Sequence, residues 1–128
     1  MMFRRVLAPV FVLALAAGLA ACGSDGGGGG SQEAKKPFPG APELAVTGDN
    51  LSFEPDELAV PAGEFNVALT SEDQFHDFVI EDVDGVVEAS GGETETAGFE
   101  VTEPGEYTFY CSVPGHRQGG MEGTLTVT

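Results

Sequence analysis

From residue 42 onward, apolar and polar side chains alternate in short bursts separated by turn-forming residues. Phe65, Val67 and Leu69 alternate strictly with Asn66, Ala68 and Thr70, the signature of a half-buried strand. Gly123–Thr128 repeats the pattern, with Leu125 and Val127 on one side and threonines on the other. Leu44-Ala45-Val46 and Leu51-Ser52-Phe53 flank the turn signal Gly48-Asp49-Asn50, and Leu58-Ala59-Val60 runs into Pro61-Ala62-Gly63. Further strands are predicted at His76–Ile80, at Val86–Ser90 before Gly91-Gly92, at Thr94–Val101, and at Glu106–Cys111 after Pro104-Gly105. No window sustains a 3.6-residue period, and there is no internal repeat. About eight strands spaced roughly 8–12 residues apart, without a helix, predict an all-β antiparallel sandwich. Its expected core is Phe53, Phe65, Val67, Leu69, Phe78, Ile80, Phe99, Phe109, Leu125 and Val127.

The first 41 residues do not share this pattern. Residues 1–21 read as an export signal peptide, with Arg4 and Arg5 followed by an apolar stretch from Val6 to Ala20. Pro9 and Gly18 interrupt that stretch, which is short for a membrane span. It ends in Leu19-Ala20-Ala21-Cys22, which resembles the lipobox of bacterial lipoproteins. That resemblance implies that Cys22 is diacylated on sulfur (a palmitate-type lipid) and anchors the mature chain on the extracytoplasmic face of the cell membrane. The alternative is an ordinary signal peptide cut near the same alanines, with Cys22 incidental. Residues 22–41 are rich in Gly, Ser and Lys, include five consecutive glycines from Gly26 to Gly30, and are expected to form a flexible tether. A tether of ~20 residues reaches roughly 25 Å, enough for a small domain to present different faces above a membrane. The folded domain is expected over 42–128.

Charge narrows the function further. All but two of the 21 acidic residues lie in 42–128, against a single base, Arg117. Such a field repels nucleic acid and anionic lipid and speeds encounters with basic partners. It is equally compatible with a solvated acidic surface suited to high salt.

The candidate chemistry is concentrated in Tyr110-Cys111-Ser112-Val113-Pro114-Gly115-His116-Arg117-Gln118-Gly119-Gly120-Met121. A thiolate, an imidazole and a thioether stand there at C-x4-H-x4-M spacing. The one other histidine is His76, in Phe75-His76-Asp77-Phe78. Two histidines, a cysteine and a weak axial methionine are the ligand set of electron-transfer copper. Taken singly, each has a plainer reading: a buried or disulfide cysteine, a core methionine, a hydrogen-bonded histidine. Zinc also accepts Cys and His, but the soft thioether suits copper. If Cys22 carries lipid and Cys111 carries metal, no disulfide remains.

With these residues in place, 42–128 resembles the cupredoxins, single-copper blue proteins built on a Greek-key sandwich. The likeness is carried by Phe53-x-Pro55, Val60-Pro61-Ala62-Gly63-Glu64, Phe75-His76-Asp77-Phe78 and Gly120-Met121-x-Gly123-Thr124-Leu125-Thr126-Val127. The ligand-loop spacing is similar to rusticyanin's, whereas plastocyanin has a shorter Cys-to-His step and azurin a shorter His-to-Met step. The resemblance implies one type 1 copper held by His76, Cys111, His116 and Met121, with His76 arriving from the facing sheet. Around it, Asp77 and Val113 are expected to offer backbone N–H groups to the Cys111 sulfur, and Ser112 to donate to the Asp77 carboxylate. The family often has Asn where Asp77 stands, and a carboxylate there favours Cu(II).

These readings imply a monomeric, lipid-tethered carrier of single electrons between redox proteins, with partners that present basic surfaces. Multicopper enzymes need histidines that this chain lacks. Delivery of copper to an exported oxidase is the competing function, although storage and delivery proteins favour Met- and His-rich clusters, and the only methionine beyond the signal segment is Met121.

Overall fold

The computed structural model describes residues 32–128; the expectations for residues 1–31, including the signal segment and the Cys22 anchor, lie outside the described residues. Among the described residues there are nine strands: β1 (Glu43–Asp49), β2 (Ser52–Glu54), β3 (Glu57–Val60), β4 (Gly63–Ser71), β5 (His76–Ile80), β6 (Val87–Ala89), β7 (Thr94–Val101), β8 (Gly105–Tyr110) and β9 (Glu122–Val127). They form two sheets, ordered β2-β1-β4-β7 and β3-β9-β8-β5-β6. The all-β sandwich is as expected. Pairing is mostly antiparallel, but β1 runs parallel to β4 and β3 runs parallel to β9. Among the described residues no helix is long and apolar enough to cross a membrane.

All ten expected core residues are buried in one cluster between the sheets. Its centre is aromatic. Phe78 stacks on Phe109 with centroids 4.7 Å apart, and Phe53 meets both rings edge-on at 5.8 and 5.5 Å. Rings in these arrangements add attraction to the area that they bury. Gly123 makes the packing possible, because a Cβ there would fall 2.3 Å from the Phe109 ring and 2.3 Å from the Asp56 carbonyl. The strands β4 and β5 are buried along nearly their whole length, as central strands covered on both faces must be.

Two local expectations are corrected. The β1–β2 turn is centred on Asn50 and Leu51, both at positive φ (46° and 64°), so Leu51 is a turn residue rather than the start of a strand. Its side chain reaches the loop after β8, where a Cβ on Gly119 would meet Leu51 Cδ1 at 2.7 Å. An apolar residue is kept in this turn because it packs against the far end of the chain. The second correction concerns residues 32–41, which are not a free tether. The Gly98 N–H donates to Lys35 O, and Asn66 brackets Phe38, accepting its N–H at 2.7 Å and donating to its carbonyl at 2.9 Å. Gly98 lets this strap lie flat, since a Cβ would strike Lys36 O at 2.6 Å and the Phe38 ring at 2.8 Å. Composition marks the segment as flexible, but a few backbone-directed bonds suffice to seat it.

Candidate metal centre

Cys111 follows the last residue of β8, and a loop of nine residues returns the chain to Met121, just before β9. Backbone bonds wind this loop tightly. Cys111 N–H donates to Met121 O at 3.1 Å, His116 N–H to Val113 O at 3.0 Å, and Met121 N–H to His116 O at 3.1 Å. Gly115 and Gly120 take positive φ, 87° and 109°, which L side chains rarely adopt. Gly119 instead makes room for Leu51. The three ligand candidates are therefore spaced by main-chain geometry, with no help from a disulfide; Cys111 is a free buried thiol.

His76 opens β5, which pairs with β8 in the same five-stranded sheet. The expectation that it comes from the facing sheet is wrong, because β5 is the immediate neighbour of the strand that carries Cys111. What the facing sheet supplies is Gly48 of β1. A Cβ there would lie 3.0 Å from the Met121 methyl and 3.1 Å from His76 Cδ2, so this glycine lets both side chains close against the sheet.

Ligand atoms of His76, Cys111 and His116 all lie within 4.8 Å of one another. His116 Nδ1 is 3.5 Å from Cys111 Sγ, and the two imidazole rings are 5.2 Å apart at 62°. His76, Cys111 and Met121 are completely buried, while His116 is partly exposed. His76 Nδ1 is a buried nitrogen with no hydrogen-bond partner, a costly condition unless a ligand occupies it. A buried lone pair, a thiol and a second imidazole converging within metal-bonding reach, with a thioether packed alongside, suit one type 1 copper ion.

Burial pushes the Cys111 thiol up to about 11, while the backbone N–H groups of Asp77 and Val113 pull it back towards the thiolate. The nearby Asp77 carboxylate adds to the rise. That carboxylate joins β5 to the ligand loop: Oδ1 accepts Ser112 N–H at 2.6 Å and Oδ2 accepts the Ser112 hydroxyl. Arg117, the single base of residues 42–128, is engaged by neighbouring acids at the surface. It donates to Glu122 at 3.0 Å and Glu81 at 3.1 Å and lies 4.2 Å above the Tyr110 ring. Those carboxylates, Glu122 foremost, hold its pKa above the ordinary arginine value.

Two residues of the site escaped the sequence reading. Gly48 was assigned only to a turn. Asp73 was one acid among many, yet its Oδ1 lies 2.7 Å from His76 Nε2 and its Oδ2 accepts Asn50 N–H at 3.1 Å. The His76 contact, first among several, keeps its carboxyl below the ordinary range. The available signal was its place three residues before the only histidine outside the loop.

A two-sheet β sandwich that gathers two histidines, a cysteine and a methionine at one end defines a cupredoxin-type domain. The profile of the Cupredoxin-like domain family matches residues 10–127, and the chain belongs to that family. It is 30% identical over 93 residues to plastocyanin of Dryopteris crassirhizoma, covering 61% of this chain and 89% of the relative. A shorter match, 46% identical over 39 residues, relates it to auracyanin-B of Chloroflexus aurantiacus; it covers 30% of this chain and spans only 17% of that relative's length. Among solved structures, dithionite-reduced auracyanin from Roseiflexus castenholzii superposes with a TM-score of 0.61 at 27% identity, covering 69% of this chain and 98% of the other.

Proposed function

We propose that this chain is a blue copper protein that carries single electrons between redox proteins at the extracytoplasmic face of a bacterial membrane. The observation that carries the reading is the convergence of ligand atoms of His76, Cys111 and His116 within 4.8 Å of one another, beside a buried His76 Nδ1 that has no hydrogen-bond partner. Copper, when bound, supplies a one-electron Cu(II)/Cu(I) couple.

The residues that would hold it are fastened to the fold on several sides. His76 and Met121 close against Gly48, Asp77 fastens β5 to Ser112, and main-chain bonds fix the loop. A site that need not rearrange changes charge with little reorganisation. If copper were held by His76, Cys111, His116 and Met121, both histidines of the chain would be used on it and none would remain for a second metal site, which suits relay rather than substrate chemistry. His116 is the partly exposed ligand, flanked in the loop by Val113, Pro114 and Gly115, and serves as the electron port. With Arg117 neutralised by Glu81 and Glu122, the surrounding charge favours partners with basic surfaces. That one structural relative was obtained in a dithionite-reduced state supports a redox role. The Cys22 lipobox supports tethering, which mass spectrometry of the membrane-extracted protein tests through the acyl mass on Cys22.

The deciding experiment is a reversible redox titration of the copper-loaded protein. One electron per copper, with the metal retained through repeated cycles, is expected. A colourless form that surrenders Cu(I) to an acceptor protein would instead identify a delivery role.

A further inference from the structure

The two ring nitrogens of His76 have different surroundings. Nδ1 is buried and unpartnered, while Nε2 meets the Asp73 carboxylate at 2.7 Å. Asp73 is itself held, because its second oxygen accepts the N–H of Asn50 in the β1–β2 turn. On another side, Gly48 leaves room for the ring, since a Cβ there would lie 3.1 Å from His76 Cδ2, and the His76 side chain has no solvent exposure. A carboxylate acceptor at Nε2 selects the tautomer that carries its proton there and leaves the Nδ1 lone pair free.

We propose that Asp73 is a positioning residue that fixes the tautomer and ring orientation of His76 and, through that hydrogen bond, strengthens the donation of Nδ1 to copper. The inference rests on the copper reading above. A more basic imidazole favours Cu(II), so Asp73 holds the potential down. Asp77 acts by another route, since its carboxylate bonds Ser112 and not a ligand ring. Asp73 thus gives the site a second acid of separate function, contributed by the turn before β5 and steadied by the β1–β2 turn.

The test uses the full chain with Asp73→Ala, Asp73→Asn and a control, Glu72→Gln, which removes the same charge one residue away at an exposed position. In the metal-free protein, nitrogen NMR of the His76 ring is expected to show a single Nε2–H tautomer in the parent and in Asp73→Asn, whose amide oxygen still accepts. Asp73→Ala is expected to show a mixture. In the copper form, Asp73→Ala should lose about 10–100-fold in Cu(II) affinity and raise the midpoint potential, each tenfold in relative preference for Cu(I) being about 59 mV. Asp73→Asn should move the potential in the same direction with a smaller affinity loss, and it stands in if the alanine variant is unstable. A single tautomer retained in Asp73→Ala with an unchanged potential would overturn the proposal. So would a Glu72→Gln shift as large as that of Asp73→Asn, which would assign the effect to bulk charge. Failure of the parent to bind copper would sink the copper reading alone, because the metal-free NMR result still judges Asp73.

Discussion

Asp77→Ala removes the carboxylate that ties β5 to the first residue of the ligand loop. Asp77 is 5% exposed and accepts two hydrogen bonds from Ser112, one from its amide at 2.6 Å and one from its hydroxyl. Bonds to a charged acceptor are worth about 1.5–3 kcal/mol each, so the pair sets an upper range of about 3–6 kcal/mol. Part is regained because no carboxylate need be desolvated. A pocket of about 280 Å³ lined by Gln32, Asp77, Glu88 and Ser112 also lets water reach the freed Ser112 groups. The net loss expected is about 2–4 kcal/mol, a fall in Tm of roughly 10–25 °C for a domain of this size. Asp77→Asn keeps an oxygen for the Ser112 amide, and its NH2 can donate to the hydroxyl, so it should cost about 1 kcal/mol. It also removes the negative charge that pushes the Cys111 thiol up, and is expected to raise the midpoint potential. Denaturant unfolding of the metal-free protein and spectroelectrochemistry of the copper form separate the two effects. An alanine variant as stable as the asparagine one would refute the latch. A potential that stays level or falls in Asp77→Asn would refute the charge argument.

Three further outcomes are expected. Burial raises the Cys111 thiol from its ordinary 9.0 to about 11, so the metal-free fold keeps that stability below pH 9 and loses it as pH rises to about 11. The loss is about 2–3 kcal/mol, and Cys111→Ser should flatten it in pH-dependent unfolding. Gly123→Ala forces a Cβ to 2.3 Å from the Asp56 carbonyl and the Phe109 ring, and should destabilise by about 3 kcal/mol or more in thermal unfolding. Asn66→Ala removes both bonds to Phe38, should cost about 1–2 kcal/mol, and should speed amide exchange across residues 32–41 while leaving the visible spectrum unchanged.

The strands were legible because alternation survives in short bursts, and the aromatic core because Phe53, Phe78 and Phe109 all fall on inward positions. The candidate ligands were legible because three of them lie within eleven consecutive residues and His76 had no competitor. Sheet membership was not. The residues 76–80 read as a strand, but nothing in their pattern says that the neighbour is β8 rather than a strand of the facing sheet. Nor did composition reveal that Lys35 and Phe38 bond to the sandwich, since those contacts use backbone groups and one asparagine. Asp73 was hidden by the acidity of the chain. Its role depends on which way one carboxylate points, and neither spacing nor periodicity encodes that.

On the proposed function, Cys111 and its three partners hold one copper as a thiolate-ligated centre. Adding one equivalent of Cu(II) to the metal-free protein and recording the visible spectrum, beside Cys111→Ser treated the same way, tests it most directly. An intense thiolate-to-copper band that saturates at one copper per chain and vanishes in the serine variant is expected. A serine variant that keeps the colour, or a parent chain that stays colourless with Cu(II) bound, would contradict it.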